Sequence, residues 1–326
     1  MRFTSRTARR TEVFVVATLI AFAAVTVAAG LALGWDGVRR HLVRLDPALL
    51  SGLLALSAVN YLARAERWHL FGRRLGIRIS HRRSALYYIA GFALTTTPGK
   101  IGEALRLWFM ERGHGYRYER TVPLLIADRV GDLNALILLC VFGSTAFLGY
   151  FWIVGGVLAV MVATSFLLAS SRRARRLILI AYGVVGRWPR LFAGARTAVR
   201  RNATLFRPGP LVAATALGGA GWLAECLALY WLVGAFGADL SLRQATFIFS
   251  FSMLAGAATM IPGGLGGAEA TMIALFLTTG VDAETAFVTT AVIRGTTLWF
   301  ATALGFCALP VALRAVRAPA PGPVAA

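Results

Sequence analysis

Lysine is almost absent from this chain, acidic residues are few, and no long polar stretch separates its apolar runs. Of 34 basic residues only Lys100 is a lysine; with 14 acidic residues this leaves a formal net charge of +20 over 326 residues. The three cysteines, Cys140, Cys226 and Cys307, lie far apart within apolar runs. They read as reduced packing residues, which argues against a disulfide framework or a thiolate metal site. Four histidines are scattered, so neither a metal site nor any other cofactor is expected. No Walker loop, HExxH or GxSxG motif occurs, and no soluble stretch is long enough for a catalytic domain, so the sequence does not read as an enzyme.

What remains is apolar. With 58% hydrophobic and 15% charged residues, and several runs near the ~20 residues that cross ~30 Å of hydrocarbon, the chain reads as an all-α polytopic membrane protein. In a soluble chain the positive charge would point to nucleic acid. Here the arginines crowd short loops beside apolar runs, where they act as topology and lipid-surface signals, and no nucleic-acid partner is expected.

Six spans are expected. The first covers 13–33, too long for a cleaved signal peptide's apolar region; the second covers 47–63. A third begins near Thr121 with Pro123 in its first turn, where proline is tolerated. The uncharged run 133–171 must turn near Gly149 and Tyr150 and return as a fourth. A fifth covers 211–233 and carries Glu225, and a sixth covers about 286–312. A basic loop at 170–210 is assigned to the cytoplasm. With the amino terminus inside, inner segments hold 26 basic residues and outer loops 4, so the positive-inside rule puts both termini in the cytoplasm of a cell (inner, plasma) membrane.

Two apolar stretches are interrupted by Pro-Gly. Residues 84–97 run into Pro98-Gly99, and a second run comes after it with Lys100, Gly102, Glu103 and Arg106. Such runs are too short to span twice, so 84–110 reads as a re-entrant pair of half-helices. The pattern returns at 245–277 with Pro262, Gly263, Gly264, Gly266, Gly267 and Glu269. Arg129, 31 residues after Pro98, is echoed by Arg294, 32 residues after Pro262. These echoes define an internal repeat, with halves at 47–149 and 211–312. The orientation inverts one half relative to the other, as in transporters whose broken helices meet at the membrane midplane.

Several side chains are candidates for substrate binding. Lys100 opens a half-helix whose amino terminus favours anions; the competing reading is a lysine that snorkels to the interface. Glu103 and Arg106, three residues apart, either contact substrate or pair with each other. Arg129 and Arg294 lie roughly 13 Å deep in their spans, where a charge costs at least about 2.5 kcal/mol. Asp132 is the expected partner of Arg129, and Glu225 or Glu269 that of Arg294. Ion bridges locking the halves together are the alternative to substrate contacts. Asp132, Glu225 and Glu269 are also the groups that would carry protons in a coupled mechanism. The tip glycines permit close backbone approach and exposed N–H groups, with small-residue helix packing as the alternative.

The motifs RAERW (64–68), TPGKIGEALR (97–106), ADRVGDL (127–133) and PGGLGGAE (262–269), with the late Arg294, resemble the lysylphosphatidylglycerol synthase transmembrane family, also called flippase-like membrane proteins. In some members of that family a cytoplasmic synthase is fused to the membrane domain, and no such domain is present in this sequence. The resemblance implies a translocase, or a transport component, for an anionic or modified lipid such as an anionic phospholipid or a polyprenyl phosphate. A carrier of small soluble organic anions and a non-transporting membrane partner of a lipid-modifying or glycosylating enzyme are the alternatives. A homodimer and a separate lipid-modifying enzyme are the protein partners to consider.

The topology is directly testable. Single cysteines replacing Arg190 and Asp282, in a cysteine-free background, are expected to react with impermeant maleimide from opposite sides of the membrane. Labelling of both from one side would rule out six spans and the inverted repeat together.

Overall fold

A computed structural model of the chain describes residues 35–97, 101–146, 208–259 and 261–317, with a few single positions between 155 and 205; among them the chain is entirely helical. The expected first and fourth spans, nearly all of the basic loop, and Pro98, Gly99 and Lys100 lie outside the described residues.

Helix α1 (Trp35–Arg44) is short and amphipathic. Helix α2 (Pro47–Arg74) starts where Asp46 accepts a hydrogen bond from the Leu49 N–H at 2.6 Å and Pro47 occupies the first helical turn, the position that loses nothing by lacking an N–H. This helix corrects the sequence reading. It does not end at Ala63 but continues to Arg74, so RAERW is helix and not a cytoplasmic loop. Arg64 and Arg67, two of the seven arginines between 64 and 83 counted on an inner segment, are both buried. An arginine inside a span survives when carboxylates face it, and the sequence pattern had not shown that they do.

The two interrupted stretches are helix, break, helix. In the first, α3 (His81–Ala90) passes into a 3-10 turn (Gly91–Leu94), and α4 (Ile101–His114) lies beyond the break. In the second, α7 (Leu242–Ala258) is capped by Ser241 and Gln244 in a reciprocal capping box. It leads to a 3-10 turn (Pro262–Gly264) and α8 (Gly267–Thr278). The break has a steric origin: Gly263 and Gly264 both have φ of 67° and Gly266 has 81°, left-handed values that side chains with a Cβ rarely adopt.

Four further helices are described. These are α5 (Tyr118–Ser144), α6 (Pro208–Ala235), and a long C-terminal pair, α9 (Ala283–Arg294) and α10 (Phe300–Arg317), joined without a loop by a π-helical turn at Gly295–Trp299. Asp282 caps α9, and the Thr285 N–H that it accepts at 2.9 Å holds its carboxyl below the ordinary aspartate range. Three helical stretches, Pro47–Arg74, Gly209–Ala235 and Ala283–Val316, are long and apolar enough to cross a membrane.

Packing between the halves is reciprocal. Helix α2 lies along α6, α5 lies along α7, and α10 lies along α3 and its 3-10 turn. The last two contacts are each closed by a glycine. A Cβ on Gly143 of α5 would stand 2.5 Å from the Phe247 nitrogen and 2.7 Å from the Arg243 carbonyl oxygen; one on Gly305 of α10 would fall on the Ala93 nitrogen and lie 2.6 Å from the Phe92 carbonyl carbon. Backbone cannot yield as a flexible side chain does. Gly305→Ala is therefore expected to destabilise the protein by about 1–3 kcal/mol or more through overpacking. Gly219→Ala, with nothing within 4 Å, should be near neutral. Thermal midpoints of the two purified variants in one detergent check this, and equal midpoints would refute the close approach.

Candidate functional site

The site grows from two helix faces. On α2, Arg64 and Arg67 are three residues apart, and on α5, Asp128 and Asp132 are four apart, spacings that put each pair on one face. Those faces meet. Arg64 Nη2 lies 2.7 Å from Asp132 Oδ2, and Arg67 Nη2 lies 2.6 Å from both Asp128 Oδ1 and Asp132 Oδ1. Room for the Arg67 guanidinium comes from small residues, since a Cβ on Gly218 of α6 would be 2.6 Å from its Nη1. Arg129 joins from the next position on α5, with Nη2 at 2.8 Å from Asp128 and 3.0 Å from Asp132.

Helix α4 contributes a fourth cation. Arg106 Nη1 is 3.7 Å from Asp128 Oδ2, its Nε donates to the Tyr88 carbonyl at 3.1 Å, and its guanidinium stacks 3.8 Å above the Tyr88 ring. The Trp222 indole N–H of α6 donates to Asp132 Oδ1 at 3.2 Å. Among the described residues, four guanidiniums thus gather around Asp128 and Asp132. Coulomb attraction between such a cation and an added anion in a buried site exceeds that in bulk water severalfold.

The second half builds a separate pair. Arg294, at the end of α9, places Nε 2.6 Å from Glu269 Oε1 of α8 and donates from Nη2 to the Gly263 carbonyl at 2.6 Å. Glycine at 263 turns that carbonyl out of the helical direction, and Arg294 clamps it. Glu225, on α6, is 3% exposed and makes no hydrogen bond or ion pair among the described residues.

One cavity of about 390 Å³ brings these groups together. Arg64, Arg106, Arg129, Asp132, Glu225 and Arg294 all line it, beside Gly91–Leu94 before the first break and Pro262, Gly263 and Gly264 of the second. Apolar side chains, among them Leu133, Leu136, Leu254 and Leu298, form much of the remaining wall. Of the residues expected from the sequence, Lys100, Pro98 and Gly99 lie outside the described residues, as do the side chains at Gly102 and Glu103. Glu269 pairs with a lining residue, and Gly266 and Gly267 shape the turn into α8. Sequence reasoning missed Arg64, Arg67, Asp128 and Trp222. The signal for them was the matching of RAER on one helix with DRVGD on another.

Burial separates structural from accessible arginines. The Arg67 side chain is 0% exposed, whereas that of Arg129 is 35% exposed. Arg67→Ala leaves two buried carboxylates short of a partner and is expected to cost about 3–5 kcal/mol, read as a large fall in thermal midpoint. Arg129→Ala should fold with a midpoint near that of the parent. The reverse order would show that Arg129, not Arg67, holds the helices together.

Comparison with known proteins agrees with this architecture. The chain is 26% identical over 319 residues to a UPF0104 membrane protein of Methanothermobacter thermautotrophicus, an alignment covering 90% of this chain and 94% of that one. It is 22% identical over 310 residues to a UPF0104 membrane protein of Pyrococcus horikoshii, covering 84% and 90%. The family described as the lysylphosphatidylglycerol synthase TM region matches residues 14–305, and the chain therefore belongs to that family of membrane proteins.

Proposed function

We propose that the protein translocates a lipid with an anionic headgroup between the leaflets of a cell membrane. The observation that carries this reading is the set of guanidiniums at one cavity: Arg64, Arg106, Arg129 and Arg294 all line it. A phosphate cannot enter hydrocarbon unaided, because stripping water from an ion costs many kcal/mol. Guanidiniums fixed at depth replace that hydration, and Arg129, with its side chain partly exposed in the cavity, is positioned to meet the phosphate first.

The cavity's size falls in the range of ~300–1,000 Å³ typical of small-ligand sites, and its mixed lining suits a polar headgroup attached to acyl chains. Two helix breaks at one cavity and the reciprocal contacts between halves favour the inverted-repeat reading, in which the halves rock about a fixed site. Re-entrant tips, six spans and cytoplasmic termini belong to the same proposal. Membership in a family named for a lipid synthase's membrane region is consistent with a lipid as cargo.

Proteoliposomes test it. The protein should accelerate transfer of labelled phosphatidylglycerol, aminoacyl-phosphatidylglycerol or a polyprenyl phosphate between leaflets relative to empty liposomes. Arg129→Ala and Arg294→Ala should each lower the rate at least about tenfold, the loss of one charge-assisted contact of ~1.5–3 kcal/mol. Uptake of a water-soluble organic anion, with no lipid moved, would replace the lipid reading by the soluble carrier.

A further inference from the structure

Among the described residues, Glu225 is the acidic group of the cavity that the charge network does not use. Asp132 is bonded to three arginines and a tryptophan, and Glu269 to Arg294. Glu225 lines the same cavity at 3% exposure without a hydrogen bond or ion pair among the described residues. A carboxylate at that burial without a hydrogen bond or ion pair is costly unless a proton joins it. Two cations already lie near it, Arg64 and Arg294, which disfavours a further one. Helix α2 turns Tyr61 and Arg64 toward it, α5 brings Asp132, α9 brings Arg294, and the wall from α7 is the uncharged Met253 and Leu254.

A second observation points to proton access. Gly221, four residues before Glu225 on α6 and so on the same face, packs against Asn60 of α2, whose Cα would lie 3.3 Å from an added Cβ. Asn60 is fully buried, and neither its amide nitrogen nor its amide oxygen has a hydrogen-bond partner. A donor and an acceptor one helical turn from the carboxylate, both unsatisfied by protein, are a seat for the bound water through which a proton travels, the amide itself carrying none.

We infer that Glu225 is the proton-carrying residue of this transporter, taking up one proton when an anionic headgroup binds and releasing it when the headgroup leaves. The inference rests on the lipid-translocation reading above. Ionised, Glu225 repels the phosphate and competes with it for Arg64 and Arg294; protonated, it does not. Binding of the anion and of the proton therefore favour each other, and by linkage each raises the affinity for the other equally. In each cycle a proton from water on the loading side adds to a Glu225 carboxylate oxygen, and the same proton returns to water on the unloading side. Anion and proton cross together.

Two measurements on the full chain test this. In proteoliposomes with labelled phosphatidylglycerol and no membrane potential, a one-unit pH gradient should tilt the leaflet distribution about tenfold, since one pH unit is worth about 1.36 kcal/mol per proton. In Glu225→Gln the distribution should not respond to the gradient, whatever the rate. Independently, detergent-purified protein should show the infrared carbonyl stretch of a protonated carboxylic acid that is lost on raising the pH and missing from Glu225→Gln. If lipid moves but the gradient leaves the wild-type distribution flat, proton coupling is overturned and lipid translocation stands. If no lipid moves, translocation fails and the infrared band alone decides the protonation of Glu225; absence of the band overturns it. Selective slowing of labelled phosphatidylethanolamine by Glu225→Gln, without the band, would make Glu225 an ammonium site and overturn the inference too.

Discussion

Two aspartates on one face of α5 hold the structure and the site together. Asp128 and Asp132 are each bonded to arginines from α2, and Asp128 also lies near Arg106 of α4. Three helices that the hydrophobic effect alone would leave free to slide are thus fixed in rotation and in height. Within a membrane the apolar driving force between helices largely vanishes, and close packing and polar contacts decide which faces meet. The cluster supplies that choice, and Gly131 and Gly218, both within 3.1 Å of Arg67 if given a Cβ, supply the space.

The same cluster also faces the cavity. Arg64, Arg106, Arg129 and Asp132 belong to the ion network and line the cavity wall at once. Arg67 gives all its bonding to structure, while Arg129 divides its contacts between the aspartates and the cavity. The second half separates these tasks differently, spending Arg294 on Glu269 and on the carbonyl of Gly263. The two halves are alike in where their breaks and arginines fall, and unlike in what those arginines hold.

Much of this was legible in the sequence. The break at Pro262–Gly264 and the pairing of Arg129 with Asp132 and of Arg294 with Glu269 could be read from residue types at depth. The far end of α2 could not. A run of arginines after an apolar stretch looks like a cytoplasmic loop, because hydropathy treats every arginine alike; only the facing carboxylates of α5 reveal that Arg64 and Arg67 are interior. Glu225 was visible as a charge in an apolar span, but its lack of a partner is a property of packing that no spacing encodes. Nor did the sequence show that Gly143 and Gly305 mark close helix approaches, since their neighbours come from the other half of the chain.

The π-helical turn at Gly295–Trp299 interrupts no hydrophobic run and leaves the long C-terminal span unbroken in length. Its effect is angular. One extra residue advances the side-chain phase of an α-helix by about 100°, so the two stretches that the turn joins look in different directions. Before it, Arg294 turns to α8 and the cavity; after it, Gly305 turns to the backbone of α3's end. The Tyr61 hydroxyl of α2 donates to the Thr297 carbonyl inside the turn, so the offset is fixed from outside the helix. A single rod thereby acts as two differently aimed surfaces, and α2 is tied to it at the one turn where the aim changes.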